Sequence, residues 1–311
     1  MRPLLPALLL ANLALVVTSS PACLAAQGAP PAPSRPATVA ALRAQLATRI
    51  AAQPGAEVAI WYVDLARGDT LAMNADVSFH AASTMKVPVM IELFRRVDAG
   101  ALSLDAPLRL EQTFASIVDG SPYTLDAGSD SDSLLYARVG TDVSLRELDE
   151  RMITRSSNLA TNALIGLLDA KVVNATAHAL GASRIDVLRG VEDDKAYAAG
   201  LNNTTTARDL GVLLAGIERG TVASRASCDA MKDVLMRQEF NDEIPAGLPA
   251  GTPVAHKTGW ITATLHDAAI VYPKGRAPYV LVVLTRKIAD EKVAARLIAD
   301  LSHDVYAFAT R

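Results

Sequence analysis

Apolar side chains at Val39, Leu42, Leu46 and Ile50 share one face of a 3.6-residue period. They predict a helix that opens at Thr38 and stops at Pro54-Gly55. Val58 to Leu65 and Thr70 to Asn74 read as two strands around a turn at Arg67-Gly68-Asp69. The far end repeats these elements in reverse. Asp267 to Tyr272 and Tyr279 to Thr285 are predicted strands joined through Pro273-Lys274-Gly275. Val293, Leu297, Leu301 and Val305 then mark a last helix. Between about 80 and 225 the pattern is mostly helical. The expected fold is α/β of the α+β kind: an antiparallel sheet flanked by N- and C-terminal helices, with an inserted all-helical lobe. The sheet lobe takes about 38–80 and 225–311, the helical lobe about 81–224. A cleft between two such lobes is a natural place for a site.

Outside this domain the chain changes character. Arg2 followed by the apolar run Leu4 to Val17, then small residues, predicts a signal peptide over 1–26. Export to the periplasm or the medium follows. The run is short for a bilayer span, so a membrane anchor, or a lipid anchor on Cys23, is the lesser reading. Residues 27–37 carry the Pro/Ala-rich stretch QGAPPAPSRP and read as a flexible linker. Within the domain, Asp119 to Leu135 holds four aspartates and no Lys or Arg. It reads as a solvated loop, either a surface insertion or a lid beside the cleft.

Composition removes several function classes. Of 311 residues, 30 are Lys or Arg and 33 Asp or Glu, a net charge of -3. Such a chain has no general attraction to nucleic acid or anionic lipid. Two cysteines, Cys23 and Cys228, make neither a disulfide framework nor a Cys-rich metal site, and Cys228 reads as a buried, inert thiol. The five histidines lack metal-ligand spacing, so no metal or organic cofactor is expected. GxGxxG, GxxxxGK[ST] and GxSxG are all missing.

Three short motifs remain: Ser83-Thr84-Met85-Lys86, Ser156-Ser157-Asn158 and Lys257-Thr258-Gly259. Ser83 precedes the apolar helix Val87 to Val97, whose positive end favours negative charge on Oγ. Lys86 lies one turn on, where a partly desolvated amine takes a serine's proton. Ser156 and Asn158 open the apolar helix Leu159 to Leu168. Ser156 suits proton transfer to a leaving nitrogen and Asn158 a substrate amide, although either could be a plain helix cap. Asn162, a turn further, needs partners if buried, and pinning a neighbouring loop would satisfy it. Lys257 and Thr258 suit a substrate carboxylate. Gly259 on an edge strand lets substrate approach, and the N–H groups of Trp260 and Ser83 would form an oxyanion hole. A Ser-His-Asp set of Ser83, His266 and Asp267 is disfavoured, because neighbours on a strand face opposite ways.

This set of motifs, in this order, resembles the penicillin-recognising serine hydrolases, and most of all the class A β-lactamases. The likeness covers almost the whole chain from Thr38 onward, and SSNLATN is similar to the class A SDNTAAN pattern. It implies a β-lactamase/transpeptidase-like fold and a small β-lactam substrate. It also implies acylation at Ser83 with Lys86 as activating partner. A monomer is expected. Three departures stand out. No ExxLN motif is present; Glu192, 192 − 158 = 34 positions after Asn158, stands where the deacylating glutamate is expected, with Asp193 or no carboxylate as alternatives. Ser157 replaces the usual Asp, as it does in some penicillin-binding proteins. Bulky Trp260 follows the KTG, and His266-Asp267 occupies the region where an arginine is common. A D-alanyl peptidase, an esterase or a slowly deacylating receptor of the same fold is the alternative.

Overall fold

The computed structural model describes residues 35–311, which form one compact unit. The expected signal peptide and most of the expected linker lie outside the described residues. Helix α1 spans Val39–Ala51, and Thr38 caps it by accepting from the Ala41 N–H at 3.1 Å. Five strands build the sheet: β1 Glu57–Asp64, β2 Thr70–Met73, β3 Val254–Ile261, β4 Thr264–Val271 and β5 Tyr279–Arg286. Their order is β2-β1-β5-β4-β3, and every pairing is antiparallel. The last helix, Glu291–Ala309, packs beside α1 over one face of the sheet, and Arg49 on α1 pairs with its Asp304.

Strands β1, β4 and β5 are buried on both faces, so two cores share each of them in alternation. Val58, Ile60 and Tyr62 of β1 join Leu42, Leu46, Leu297 and Leu301 on the terminal-helix side. Ala59, Trp61 and Val63 join the core of the remaining helices. The period of two carries this division. Sharing both faces also explains why these strands read as almost unbroken apolar runs.

The inserted helices are α2 Lys86–Asp98, α3 Leu145–Thr154, α4 Asn158–Leu168, α5 Ala170–Ala179 and the short α6 Asp194–Ala198. Next come α7 Ala207–Arg219 and α8 Arg225–Leu235, which leaves Glu291–Ala309 as α9. Helix α4 is buried nearly all round, as its composition predicts. Helix α7 departs from the expected division into lobes. It lies within 81–224, yet it packs on β1, β4 and β5. Gly211 permits this, because a Cβ there would sit 2.0 Å from Trp61 Cε3.

The acidic stretch also differs from expectation. Asp119 and Asp126 are exposed, but Asp130 and Asp132 are buried. Asp130 accepts the N–H groups of Asn158 and Leu159 at about 3.0 Å, which satisfies free donors at the start of α4. Asp132 pairs with Arg151 of α3 at 3.0 Å. The stretch is thus fastened to the helices by buried carboxylates rather than carried as a solvated insertion.

Candidate active site

Ser83 sits on a 3₁₀ turn, Ala82–Met85, that runs into α2 at Lys86. The preceding residue, Ala82, has φ +45°, a left-handed conformation for a residue with a Cβ. Ser156 (φ +56°) and Glu192 (φ +61°) are left-handed too. Each such residue costs about 1–3 kcal/mol and persists only where its surroundings hold it. All three line one cleft of about 440 Å³, together with His80, Asn158 and Trp260.

The edge strand β3 closes in on the Ser83 turn. A Cβ at Gly259 would lie 3.0 Å from the backbone nitrogens of Ser83 and Thr84, and 3.2 Å from Ala82 Cβ. The expectation placed this glycine for the approach of substrate. Its space is instead taken by the Ser83 turn, and the close fit brings the N–H of Ser83 beside the strand that carries Trp260.

Two buried lysines converge on one hydroxyl. Lys86 Nζ donates to the Ser156 carbonyl at 2.6 Å, Asn158 Oδ1 at 2.9 Å and Ser156 Oγ at 3.2 Å. Lys257 Nζ donates to Ser156 Oγ and to the Thr258 carbonyl, both at 3.0 Å. Burial pulls the Lys86 ammonium down to about 7, against the opposing charges of Asp130 and Glu192. Burial and then the Lys86 charge hold Lys257 well below the usual lysine value. Near neutral pH an amine at about 7 exists in both protonation states, as a general base requires. Lys257 and Thr258 are both buried, so Lys257 reaches the cleft through Ser156.

Ser156 and Asn158 are not helix caps. Ser157 between them takes that role, accepting the Ala160 N–H at 3.2 Å, and this frees its neighbours to face the cleft. Asn158 bridges two charged groups. Its Oδ1 receives Lys86, and its Nδ2 donates to Glu192 Oε1 at 2.5 Å. Glu192 also accepts from Ser129 Oγ at 3.3 Å, and burial raises its carboxyl above the usual glutamate value despite these bonds.

Asn162 pins the segment that carries Glu192. Its Oδ1 accepts the Val191 N–H at 2.6 Å and its Nδ2 donates to the Val191 carbonyl at 3.0 Å. Gly190 is required for this contact, since a Cβ there would meet Asn162 Oδ1 at 2.5 Å. Asp193 is occupied elsewhere: it accepts from Ser116 Oγ at 2.9 Å, the Ile117 N–H at 3.0 Å and the Ala196 N–H at 3.0 Å, capping α6. Of the two neighbouring acids, Glu192 is the one joined to Asn158.

The Ser-His-Asp alternative is absent from the geometry. His266 Nε2 faces the His80 carbonyl at 2.9 Å, while Asp267 turns the other way, to His256 Nδ1 at 3.0 Å and the Ile244 N–H at 3.0 Å.

A family model described as "Beta-lactamase enzyme family" matches residues 41–309. The chain belongs to the β-lactamase enzyme family. The AST-1 β-lactamase of Nocardia asteroides is 32% identical over 246 residues, which cover 75% of this chain and 72% of that protein. The carbapenem-hydrolysing β-lactamase KPC of Klebsiella oxytoca is 27% identical over 251 residues, covering 79% and 81%. Among solved structures, PBP-A superposes with a TM-score of 0.75 at 28% identity, over 88% of this chain and 98% of that one. This member of the family is therefore a hydrolase with the mixed, antiparallel fold read from its sequence.

Sequence reasoning missed several residues of this family member's cleft. Ser129, Arg189, Tyr197 and His80 line it, and Asp130 holds the backbone N–H of Asn158, which also lines it. Arg189 is tied down by the Leu201 carbonyl at 2.8 Å and Asn202 Oδ1 at 3.2 Å. The four aspartates did signal a special segment, but only coordinates reveal which of them turn inward.

Proposed function

We propose that this protein is an exported class A β-lactamase that acts as a monomer in the periplasm or the medium. Ser83 attacks the lactam carbonyl, and neutral Lys86 takes its proton. The oxyanion rests on the N–H groups of Ser83 and Trp260. Ser156 returns a proton to the lactam nitrogen. Glu192 then activates the water that releases the product. Asn158 holds the side-chain amide of the substrate while orienting both Lys86 and Glu192. Lys257 is bonded to a hydroxyl and a carbonyl and to no carboxylate among the described residues, so the substrate carboxylate, held at Lys257 and Thr258, supplies its countercharge.

One observation carries this reading: Lys86, Lys257, Asn158 and Glu192 are chained through hydrogen bonds that meet at Ser156, beside Ser83. The test is turnover of a chromogenic cephalosporin in large excess, with an intact-mass spectrum from the same tube. Many turnovers with little adduct support a β-lactamase. A single turnover with a lasting adduct supports a penicillin-binding receptor or D-alanyl peptidase, the reading favoured by Ser157 and the likeness to PBP-A. No labelling, or labelling that survives Ser83→Ala, sinks the serine mechanism.

A further inference from the structure

We propose that His80 is a positioning residue for the Ser83 oxyanion donor, and this rests on the reading of Ser83 as nucleophile. The direction of the Ser83 N–H is set by the peptide plane between Ala82 and Ser83, and therefore by the left-handed Ala82. His80 holds that residue from two residues upstream. Its Nδ1 accepts the Ala82 N–H at 3.0 Å. His80 is itself fixed through its backbone: it pairs with Thr204 in a two-residue ladder, and its carbonyl accepts from His266 Nε2 at 2.9 Å.

The hydrogen-bond partners fix the tautomer of His80. His266 Nε2 faces the His80 carbonyl at 2.9 Å, and its Nδ1 lies between the Leu265 carbonyl at 2.8 Å and the Thr285 N–H at 3.2 Å. His80 Nδ1 faces an N–H, so it must be bare and the proton lies on Nε2. Gly259 supplies the opposing wall, because the turn cannot shift toward β3 without meeting it. Ala82 is thereby held from His80 on one side and from the strand on the other.

Protonation of His80 would turn Nδ1 into a donor aimed at another donor. The ionisable groups facing it are Arg189 from the loop before α6, Tyr197 on α6 with ring centroids 6.3 Å apart, and His266 on β4. Burial first, and then the Arg189 charge, lower the His80 pKa, so the clamp is intact at neutral pH. His266 is pulled down to about 4 by burial and stays neutral over the working range.

An asparagine at position 80 offers a side-chain oxygen to the N–H two residues on, the Asx-turn geometry, and does not titrate. His80→Ala and His80→Asn would be compared with wild type by steady-state cephalosporin hydrolysis from pH 5 to 8, with melting temperatures alongside. His80→Ala is expected to lose at least about tenfold in kcat with KM little changed, short of the 10²–10³ typical of deleting an oxyanion donor. His80→Asn should recover most of that loss. Its kcat/KM should fall less steeply at acid pH than that of wild type, which alone loses the clamp on protonation. Wild-type kcat in His80→Ala overturns the proposal. So does His80→Asn as slow as His80→Ala, or an unchanged acid slope in His80→Asn. A wild-type protein that neither turns over nor labels would instead overturn the reading of Ser83.

Discussion

Lys86 and Lys257 aim their amines at the same oxygen, Ser156 Oγ, from 3.2 and 3.0 Å. Two ammonium groups on one hydroxyl would repel, and burial penalises both charges. The arrangement therefore favours loss of a proton, and Lys86 lies at about 7. With one proton gone, Ser156 can donate to Lys86 while accepting from Lys257, which makes the hydroxyl a relay. In the proposed mechanism acylation needs the neutral amine. Its rate should rise with pH through about 7 and then level off. Removing the Glu192 charge removes a group that stabilises the ammonium, so Glu192→Gln should move that midpoint to lower pH. Stopped-flow acylation across pH checks both; a midpoint that stays or rises in Glu192→Gln would contradict the assignment of Lys86.

In the proposed mechanism Glu192 meets substrate chemistry only after acylation. In Glu192→Ala the acyl-enzyme should accumulate while the burst survives, with deacylation slowed by about 10²–10⁴, the usual worth of a general base. Intact-mass spectrometry during turnover reads this directly. Wild-type turnover in that variant would remove Glu192 from the mechanism.

Gly259 has no room for a methyl group. In Gly259→Ala the new Cβ would press on the Ser83 and Thr84 nitrogens at 3.0 Å. Displacing the oxyanion donor should cost about 10²–10³ in kcat/KM. The strain of overpacking should cost roughly 1–3 kcal/mol of stability. Hydrolysis rates and urea denaturation separate the two effects; a variant as active as wild type would mean that the turn is more pliable than its packing implies.

Asp149 on α3 is buried, and its Oδ1 has no hydrogen-bond partner among the described residues. Burial raises its carboxyl from the usual 3.8 to about 7. The folded state therefore holds the proton more tightly than the unfolded one. Stability is unaffected below about pH 4 and falls progressively as pH rises to about 7. Asp149→Asn should remove a penalty on the order of 2–4 kcal/mol at pH 8, with much less gain at pH 5. Melting temperatures at the two pH values test this, and a gain independent of pH would place the cause elsewhere.

The sheet and the three motifs were legible because both rest on local rules. Short apolar runs bounded by turn residues announced β1 and β5 as strands, and the spacing of Ser83 from Lys86 put both on one turn. The identity of the capping residue at α4 was not legible, since Ser156, Ser157 and Asn158 are all good caps. Only the fold shows that Ser157 has the work. Asp130 escaped for a related reason: it caps a helix 28 positions away in sequence, with no periodic signal. Gly259 and Gly190 each gave way to a neighbouring element, which a one-dimensional reading cannot see.

The strand order has a consequence for how the chain comes into being. β5, the third of five in space, is the last strand in sequence. β1 and β2 emerge more than two hundred residues before it and have no central partner until residue 286 has been made. Contacts this distant along the chain are formed late and slowly. A growing polypeptide of this topology therefore stays open until synthesis is nearly complete, which would suit the export proposed above, where a chain is threaded before it folds.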